Sequence, residues 1–198
     1  MRIIAGSKAR MPLLSPRDLT TRPITDRVKE SVFAILQGHI PGVRVVDLFC
    51  GTGSLGLEAL SRGAEHALMV ENDRDAVKRL KKNIAKLNFD DQTTVIQTDA
   101  FKYVVEGLKN SDNKNQVGSS VWLAFVDPPY LLSRSSSADS RLGVLLSGLG
   151  EKLAERAVVV VRHGKRIELL RCYGSLHQAD RREYGSMSVT FLEKIVGR

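Results

Sequence analysis

Residues 43–60 read VRVVDLFCGTGSLGLEAL, and this stretch decides the fold. The apolar run Val43, Val45, Val46, Leu48, Phe49 leads into Gly51, Gly53 and Gly56, and then into a helix-like stretch from Ser54 to Arg62. Strand, glycine turn and helix form the unit that brings backbone N–H groups close to a ligand. Glycines at 51 and 53 let the chain turn sharply and leave the main chain open to close approach. The spacing Gly51-x-Gly53-x-x-Gly56 also satisfies a dinucleotide fingerprint, so it does not choose the ligand by itself. Two acids sharpen it. Asp47 stands at the carboxyl end of the strand, just before the turn, where a pyrophosphate has little use for an anion. Glu71 ends the next apolar run (Ala67, Leu68, Met69, Val70), 20 residues after Gly51, the interval expected of an acid that grips ribose hydroxyls.

An acid beside the turn suits a ligand with a cationic amino-acid end, and S-adenosylmethionine is such a ligand. Outward from this stretch the pattern alternates strand and helix. Val43–Phe49 precedes Ser54–Arg62, Ala67–Glu71 precedes Asp73–Leu87, and Thr93–Gln97 precedes Ala100–Leu108. Val121–Val126 and Ala157–Val161 are two further buried strands, with a helix at Leu142–Leu153 between them. Such alternation predicts a parallel sheet covered on both faces, with ligands at the carboxyl ends of its strands. Ile167–Leu170 and Ser188–Ile195 read as a final antiparallel pair that closes the sheet. Residues 110–120 read as a surface loop, and the serine-rich run 132–140 as a flexible loop able to close on substrate.

Ahead of the central stretch, Arg2–Ala5 and Met11–Leu14 read as extended pieces joined by a basic turn, because Pro12 and Pro16 oppose a helix. Thr25 is an N-cap candidate for a helix whose apolar stripe is Val28, Val32, Phe33, Ile35 and Leu36, ending at Gly38. The basic residues at its start, Arg22, Arg27 and Lys29, read singly as a solvated face. So do the lysines and arginine of 73–87.

The chain has 198 residues and a net charge of +8. Its mass of 21.9 kDa suits one domain, and a mean hydropathy of −0.14 suits a soluble globule. No apolar stretch is long enough to span a bilayer, and the first residues lack the hydrophobic core of a secretory signal. Two cysteines and four scattered histidines offer no disulfide framework and no metal-ligand spacing, so a cytoplasmic, metal-free protein is expected. Residues 1–30 and 162–182 carry all the excess positive charge, while the rest is balanced. Two basic blocks at the ends of the chain point to a polyanionic partner.

Asp127-Pro128-Pro129-Tyr130 follows the fourth strand, on the same sheet edge as Asp47, Glu71 and Asp99. Consecutive prolines fix φ and remove two backbone donors, leaving a stiff corner whose carbonyls only accept. A carboxylate and an aromatic face beside that corner suit an exocyclic amino group on a planar base. The acceptors can orient a nitrogen whose lone pair is otherwise delocalised, and stabilise the charge that grows on it during transfer. Tyr130 would stack on the base, worth about 1–3 kcal/mol.

Asp47-x-x-x-Gly51-x-Gly53 together with Asp127-Pro-Pro-Tyr130 resembles the class I S-adenosylmethionine-dependent methyltransferases that act on amino groups of bases. The start of the chain narrows the resemblance. Arg2-Ile-Ile-Ala-Gly6, Leu13, Thr21-Arg-Pro-Ile-Thr-Asp-Arg-Val-Lys-Glu-Ser-Val-Phe33 and FCGTGSLGLEALSRGA at 49–64 are similar to the bacterial small-subunit (16S) ribosomal RNA guanine-N2 methyltransferases, the RsmD family. The similarity extends to about Tyr130.

The resemblance implies an α/β, Rossmann-like fold with a seven-stranded, mostly parallel sheet whose last strand is antiparallel. Residues 1–40 would form a hairpin-and-helix extension that contacts RNA, and 41–198 the methyltransferase domain. It implies that Asp47 and the Gly51–Gly53 turn hold the methionine end of the cofactor and Glu71 its ribose, with Phe49 and Asn72 also at the cofactor. Asp99 and Ala100 would hold the adenine. Asp127 and Pro128 would face the guanine amino group with Tyr130 on the base, and Arg2, Lys8, Arg10, Arg17, Arg22, Arg181 and Arg182 would meet RNA. The implied partner is small-subunit ribosomal RNA, naked or in a 30S subunit. One departure is visible: the fifth strand is followed by Arg162-His163, where this family often has an acid.

Three other readings remain. An adenine-N6 methyltransferase shares the Asp-Pro-Pro-Tyr motif, but little chain is left for a DNA-reading domain. An inactive RNA-binding or assembly protein on the same fold leaves intact acids unexplained. An NAD-dependent dehydrogenase fits the glycines, but not Asp47 or Asp127.

Overall fold

A computed structural model describes residues 1–16, 24–106, 121–129 and 135–195. Five parallel strands follow the sequence reading closely: β1 (Arg44–Leu48), β2 (His66–Glu71), β3 (Thr93–Gln97), β4 (Val121–Val126) and β5 (Val158–Gly164). Three more strands, β6 (Cys172–Tyr173), β7 (Leu176–Tyr184) and β8 (Met187–Lys194), complete one eight-stranded sheet in the order β3-β2-β1-β4-β5-β8-β7-β6. The strand order reverses between β1 and β4, which opens a crevice at their carboxyl ends.

Helices α1 (Asp26–Ile35), α2 (Ser54–Ser61), α3 (Arg74–Leu87), α4 (Ala100–Glu106) and α5 (Arg141–Lys152) lie with these strands. Alternate residues of the central strands go to opposite faces. Val45 and Phe125 pack with Phe33, Leu57 and Leu80. Their neighbours Val46 and Val126 pack with Leu142, Leu145 and Leu149. A strand covered on both sides therefore reads as an unbroken apolar run. Among the described residues no helix is long and apolar enough to cross a membrane.

The end of the sheet differs from the expected pair. Residues 167–170 are not a strand, and the partner of β8 is the polar segment Leu176–Tyr184, with the expected seven strands becoming eight. Only Leu176 of β7 is buried, so the segment carries no apolar alternation to read. Its place comes from antiparallel pairing with β8, irregular between Gln178 and Asp180. The serine-rich run is also partly tied down. Ser136 Oγ donates to the Glu168 carbonyl, and Tyr173 OH donates to the Ser136 carbonyl at 2.6 Å. Residues 132–134 of that run and the loop 110–120 lie outside the described residues.

The N-terminal segment folds as the expected hairpin, with Ile3 N–H donating to the Met11 carbonyl and Arg10 N–H to the Ile3 carbonyl, both at 2.9 Å. It is clamped to α2. A Cβ on Gly6 would stand 1.8 Å from the Ser61 carbonyl oxygen, so only glycine permits that approach. Ser7 N–H donates to this carbonyl at 2.7 Å, and Asn83 of α3 accepts from Leu14 N–H at 2.8 Å.

The clamp centres on Glu58, fully buried in α2. Its carboxylate accepts Ile4 N–H at 2.7 Å and Ala5 N–H at 3.0 Å. It also pairs with Lys29 Nζ at 3.3 Å and Arg62 Nε at 2.8 Å. Lys29 is thus a correction to the solvated face read from the sequence: it is 0% exposed and also donates to the Arg2 carbonyl at 2.6 Å. Burial lowers its pKa, and Glu58 works against that shift. The helix pattern hid this, because an isolated lysine near a helix start looks the same wet or buried.

Glu58→Ala should cost about 3–5 kcal/mol, because it strands a buried ammonium and two hairpin N–H groups. Urea unfolding of the variant beside the parent measures this. A loss below about 1 kcal/mol would mean that the hairpin does not depend on the carboxylate.

Candidate active site

Asp47 is the penultimate residue of β1, with its side chain fully buried. Its Oδ2 accepts Gly56 N–H at 2.9 Å, which draws the first turn of α2 onto the strand end. Glycine is needed there, because a Cβ at 56 would meet Met69 Cε at 2.5 Å and Asp47 Oδ2 at 3.2 Å. The other oxygen, Oδ1, has no hydrogen-bond partner. Burial, with Asp127 and Glu71 adding repulsion, raises the Asp47 pKa to about 8 against the Gly56 hydrogen bond.

The turn after β1 is left-handed at Phe49 (φ +62°), Gly51 (φ +55°) and Gly53 (φ +87°). Phe49 tolerates that conformation without being glycine, a local strain of about 1–2 kcal/mol. Gly51 N–H donates to Glu71 Oε2 at 2.8 Å, and Asp73 N–H donates to Glu71 Oε1 at 2.8 Å. The carboxylate at the end of β2 is thereby fixed against the glycine turn, with lone pairs left on both oxygens.

Asp127 follows β4 and pairs across to the end of β5, where Arg162 Nε donates to its Oδ1 at 2.5 Å. The strands match Val126 to Val161, so the residues immediately after them are neighbours. Both side chains are largely covered, at 18% and 16% exposure. Burial raises the Asp127 pKa, and the Arg162 charge and hydrogen bond oppose the rise.

These pieces meet in one cleft of about 710 Å³. Asp47, Phe49, Gly51, Glu71, Asp127 and Pro128 all line it. Among the described residues, the other expected cofactor residues do not. Gly53 caps α2 and faces Leu80 and Leu57, and Asn72 is exposed beyond Glu71. Asp99 caps α4 through Lys102 N–H at 2.9 Å and stands 3.7 Å from Arg141, while Ala100 is buried behind it. Arg141 lies 4.2 Å from the centre of the Phe101 ring, which meets Phe49 edge-on at 5.3 Å. Tyr130, Arg17 and Arg22 lie outside the described residues.

The expected RNA-facing cations are distributed unevenly. Arg2 pairs with Asp26 at 2.8 Å, and Lys8 stands 5.6 Å from the centre of the Phe89 ring. Arg10, with φ +68°, sits exposed at the hairpin turn. Arg181 donates to the Lys165 carbonyl at 2.8 Å and lies 3.4 Å from Glu183, and Arg182 pairs with Asp180 at 2.7 Å. Acids on β7 therefore pair with both of these arginines.

Sequence reasoning missed three walls of the cleft: Met1, Pro16 and Ile24, then Arg162 and His163, then Ser186 and Met187 at the β7–β8 turn. Only Arg162 left a signal, as a basic residue ending an apolar parallel strand. His163 beside it is buried and bonded to Thr190 Oγ1 at 2.8 Å, and burial lowers its pKa.

Comparison with known proteins accords with this arrangement. The profile of the family described as "Conserved hypothetical protein 95" matches residues 1–193. YlbH of Bacillus subtilis (strain 168), provisionally named an rRNA methyltransferase, is 33% identical over 98% of this chain and 99% of its own. Ribosomal RNA small subunit methyltransferase D of Escherichia coli (strain K12) is 36% identical over 66% of this chain and 60% of its own length. A solved Escherichia coli structure, provisionally named methyltransferase yhhF, covers 98% of both chains at a TM-score of 0.80 and 28% identity. With nearly its whole length matched by that profile, the chain belongs to the conserved hypothetical protein 95 family, the RsmD family of the sequence resemblance.

Proposed function

We propose that the chain transfers the methyl group of S-adenosylmethionine to the exocyclic N2 amino group of a guanine in small-subunit ribosomal RNA. The observation that carries this reading is the meeting of Asp47 and Glu71 with Asp127 and Pro128 in one cleft. The names of the relatives, small subunit methyltransferase D among them, support the substrate class.

The residues present fit the cofactor. Asp47 Oδ1 is a buried acceptor lacking a donor, next to two further carboxylates, and an ammonium group answers both deficits. Glu71, held by two backbone N–H groups, keeps acceptor capacity for ribose hydroxyls. Asp99 and Ala100 remain the assignment for adenine, at the start of α4. When bound, S-adenosylmethionine supplies an electrophilic sulfonium methyl.

The chain's own work falls on the β4 corner. Asp127 and the Pro128 carbonyl accept N–H bonds from the base, orient its nitrogen and stabilise the charge growing there. Asp127 is the group that takes or steers the proton. Tyr130 is assigned to stacking on the base. Holding both reactants in one cleft brings them together. The hairpin cations, half-buried Lys8 and exposed Arg10, are assigned to phosphates, with less weight on Arg181 and Arg182, whose charge is offset.

Tritium transfer from labelled cofactor to small subunits of a strain lacking the protein should place label in N2-methylguanosine. Label in N6-methyladenosine would select the adenine reading, and no label would remove the enzyme reading. In the same assay Asp127→Ala should lower turnover by about 10²–10⁴-fold and leave cofactor affinity intact. Unchanged turnover would take Asp127 out of the mechanism. In the ligand-free protein, protonated Asp47 is favoured by folding, since its pKa rises from 3.8 to about 8. Its stabilising contribution is full below about pH 4 and fades as pH rises through about 8. Asp47→Asn should therefore flatten the fall in Tm over that window, and a parallel pair of curves would contradict it. Reversing Lys8 and Arg10 to Glu should weaken RNA binding and reduce the slope of log K against log salt by about 1 for each phosphate no longer neutralised. An unaltered slope would return the hairpin to solvent.

A further inference from the structure

Four carboxylates, Asp47, Glu71, Asp73 and Asp127, line the cleft. Among the described residues lining it, Arg162 is the only Lys or Arg. Its Nε donates to Asp127 Oδ1 at 2.5 Å rather than to any of the other three acids. The register of β4 and β5 makes that choice, because Val126 and Val161 are paired and the next residues along each strand adjoin. Among the described residues of the remaining walls, Met1 brings an α-amino group as the one other cationic group. His163 is tied to Thr190 and the Gly164 carbonyl, and Pro16, Ile24, Ser186 and Met187 carry no charged side chain.

Resting on the reading of Asp127 above, we propose that Arg162 is a positioning residue for the transfer. It holds Asp127 as a carboxylate, with Oδ1 spoken for, so that Oδ2 is the acceptor offered to the substrate amine. The physical need is clear from the burial. A desolvated carboxyl among like charges takes up a proton, and a protonated oxygen donates where the amine requires an acceptor. One guanidinium on one oxygen keeps the group ionised and restricts its rotation, without occupying both oxygens. The pKa of Asp127 is pushed up by burial and pulled down by Arg162, which is the balance this role requires. An acid at 162 would reverse the second influence.

The test reads Asp127 directly and then through turnover. The Asp127 side-chain carboxyl is followed by ¹³C NMR against pH in the ligand-free protein, with Asp127→Asn assigning the signal. Arg162→Gln should raise its midpoint by about one pH unit or more, and Arg162→Lys should return most of the shift. Coincident titrations in parent and Gln variant would overturn the proposal. Should the Gln variant fail to fold, the Lys variant carries the comparison, and a midpoint displaced by less than in any folded neutral substitution at 162 is the supporting result. In the transfer assay, the acid limb of kcat should move to higher pH in Arg162→Gln, recover in Arg162→Lys, and leave the cofactor Kd unchanged. An equal loss of kcat at every pH would overturn positioning. A missing NMR shift with transfer intact in the parent sinks this proposal alone, whereas a parent that transfers nothing at any pH sinks the methyl-transfer reading first.

Discussion

Everything at the front of the molecule hangs on the Glu58 carboxylate, buried in α2 and filled by donors from three directions. Two come from the hairpin backbone, one from Lys29 of α1 and one from Arg62 at the C-cap of α2. Neither a lone buried carboxylate nor a lone buried ammonium is tolerable, so each fixes the place of the other. The Arg62 guanidinium also covers the Phe33 ring, 4.8 Å from its centre, which ties the charge network to the apolar core. Through this knot the hairpin and α1 share one core with β1, β2 and β4. That is how Met1, Pro16 and Ile24 come to form a wall of the cleft made by the sheet.

The same physics runs the other way in the cleft itself. At Glu58 the donors are complete, whereas Asp47 has one satisfied oxygen and one orphan. Asp127 has a single cation on a single oxygen. A folded protein rarely leaves buried acceptors unsatisfied, and where it does the position is a candidate for a ligand. The two incomplete carboxylates sit on either side of the point where the strand order reverses, and the proposed function assigns one to a cationic group and the other to an amine. The left-handed Phe49 between β1 and the glycine turn is a further local cost accepted at this edge.

Much of this was legible in the chain. Unbroken apolar runs, glycines in a turn and a double proline are local signals, and they located β1 to β5, the glycine turn and the Asp127 corner to within a few residues. What escaped depended on partners distant in sequence. Lys29 looked like surface because its partner lies 29 residues away on another helix. Strand β7 left no strand pattern because it is held by main-chain pairing and carries polar side chains. Arg162 looked like a departure from a family pattern until the register of β4 and β5 set it against Asp127.

The sequence by itself determined the class of fold, the edge of the sheet where the acids gather and the identity of those acids, because periodicity and turn chemistry are properties of neighbouring residues. Only the tertiary structure decided which acids share a cleft, which oxygen of each is already engaged and which cations are neutralised before a polyanion arrives. Those are matters of strand register and burial, in which the strength of a charge depends on what has been packed around it.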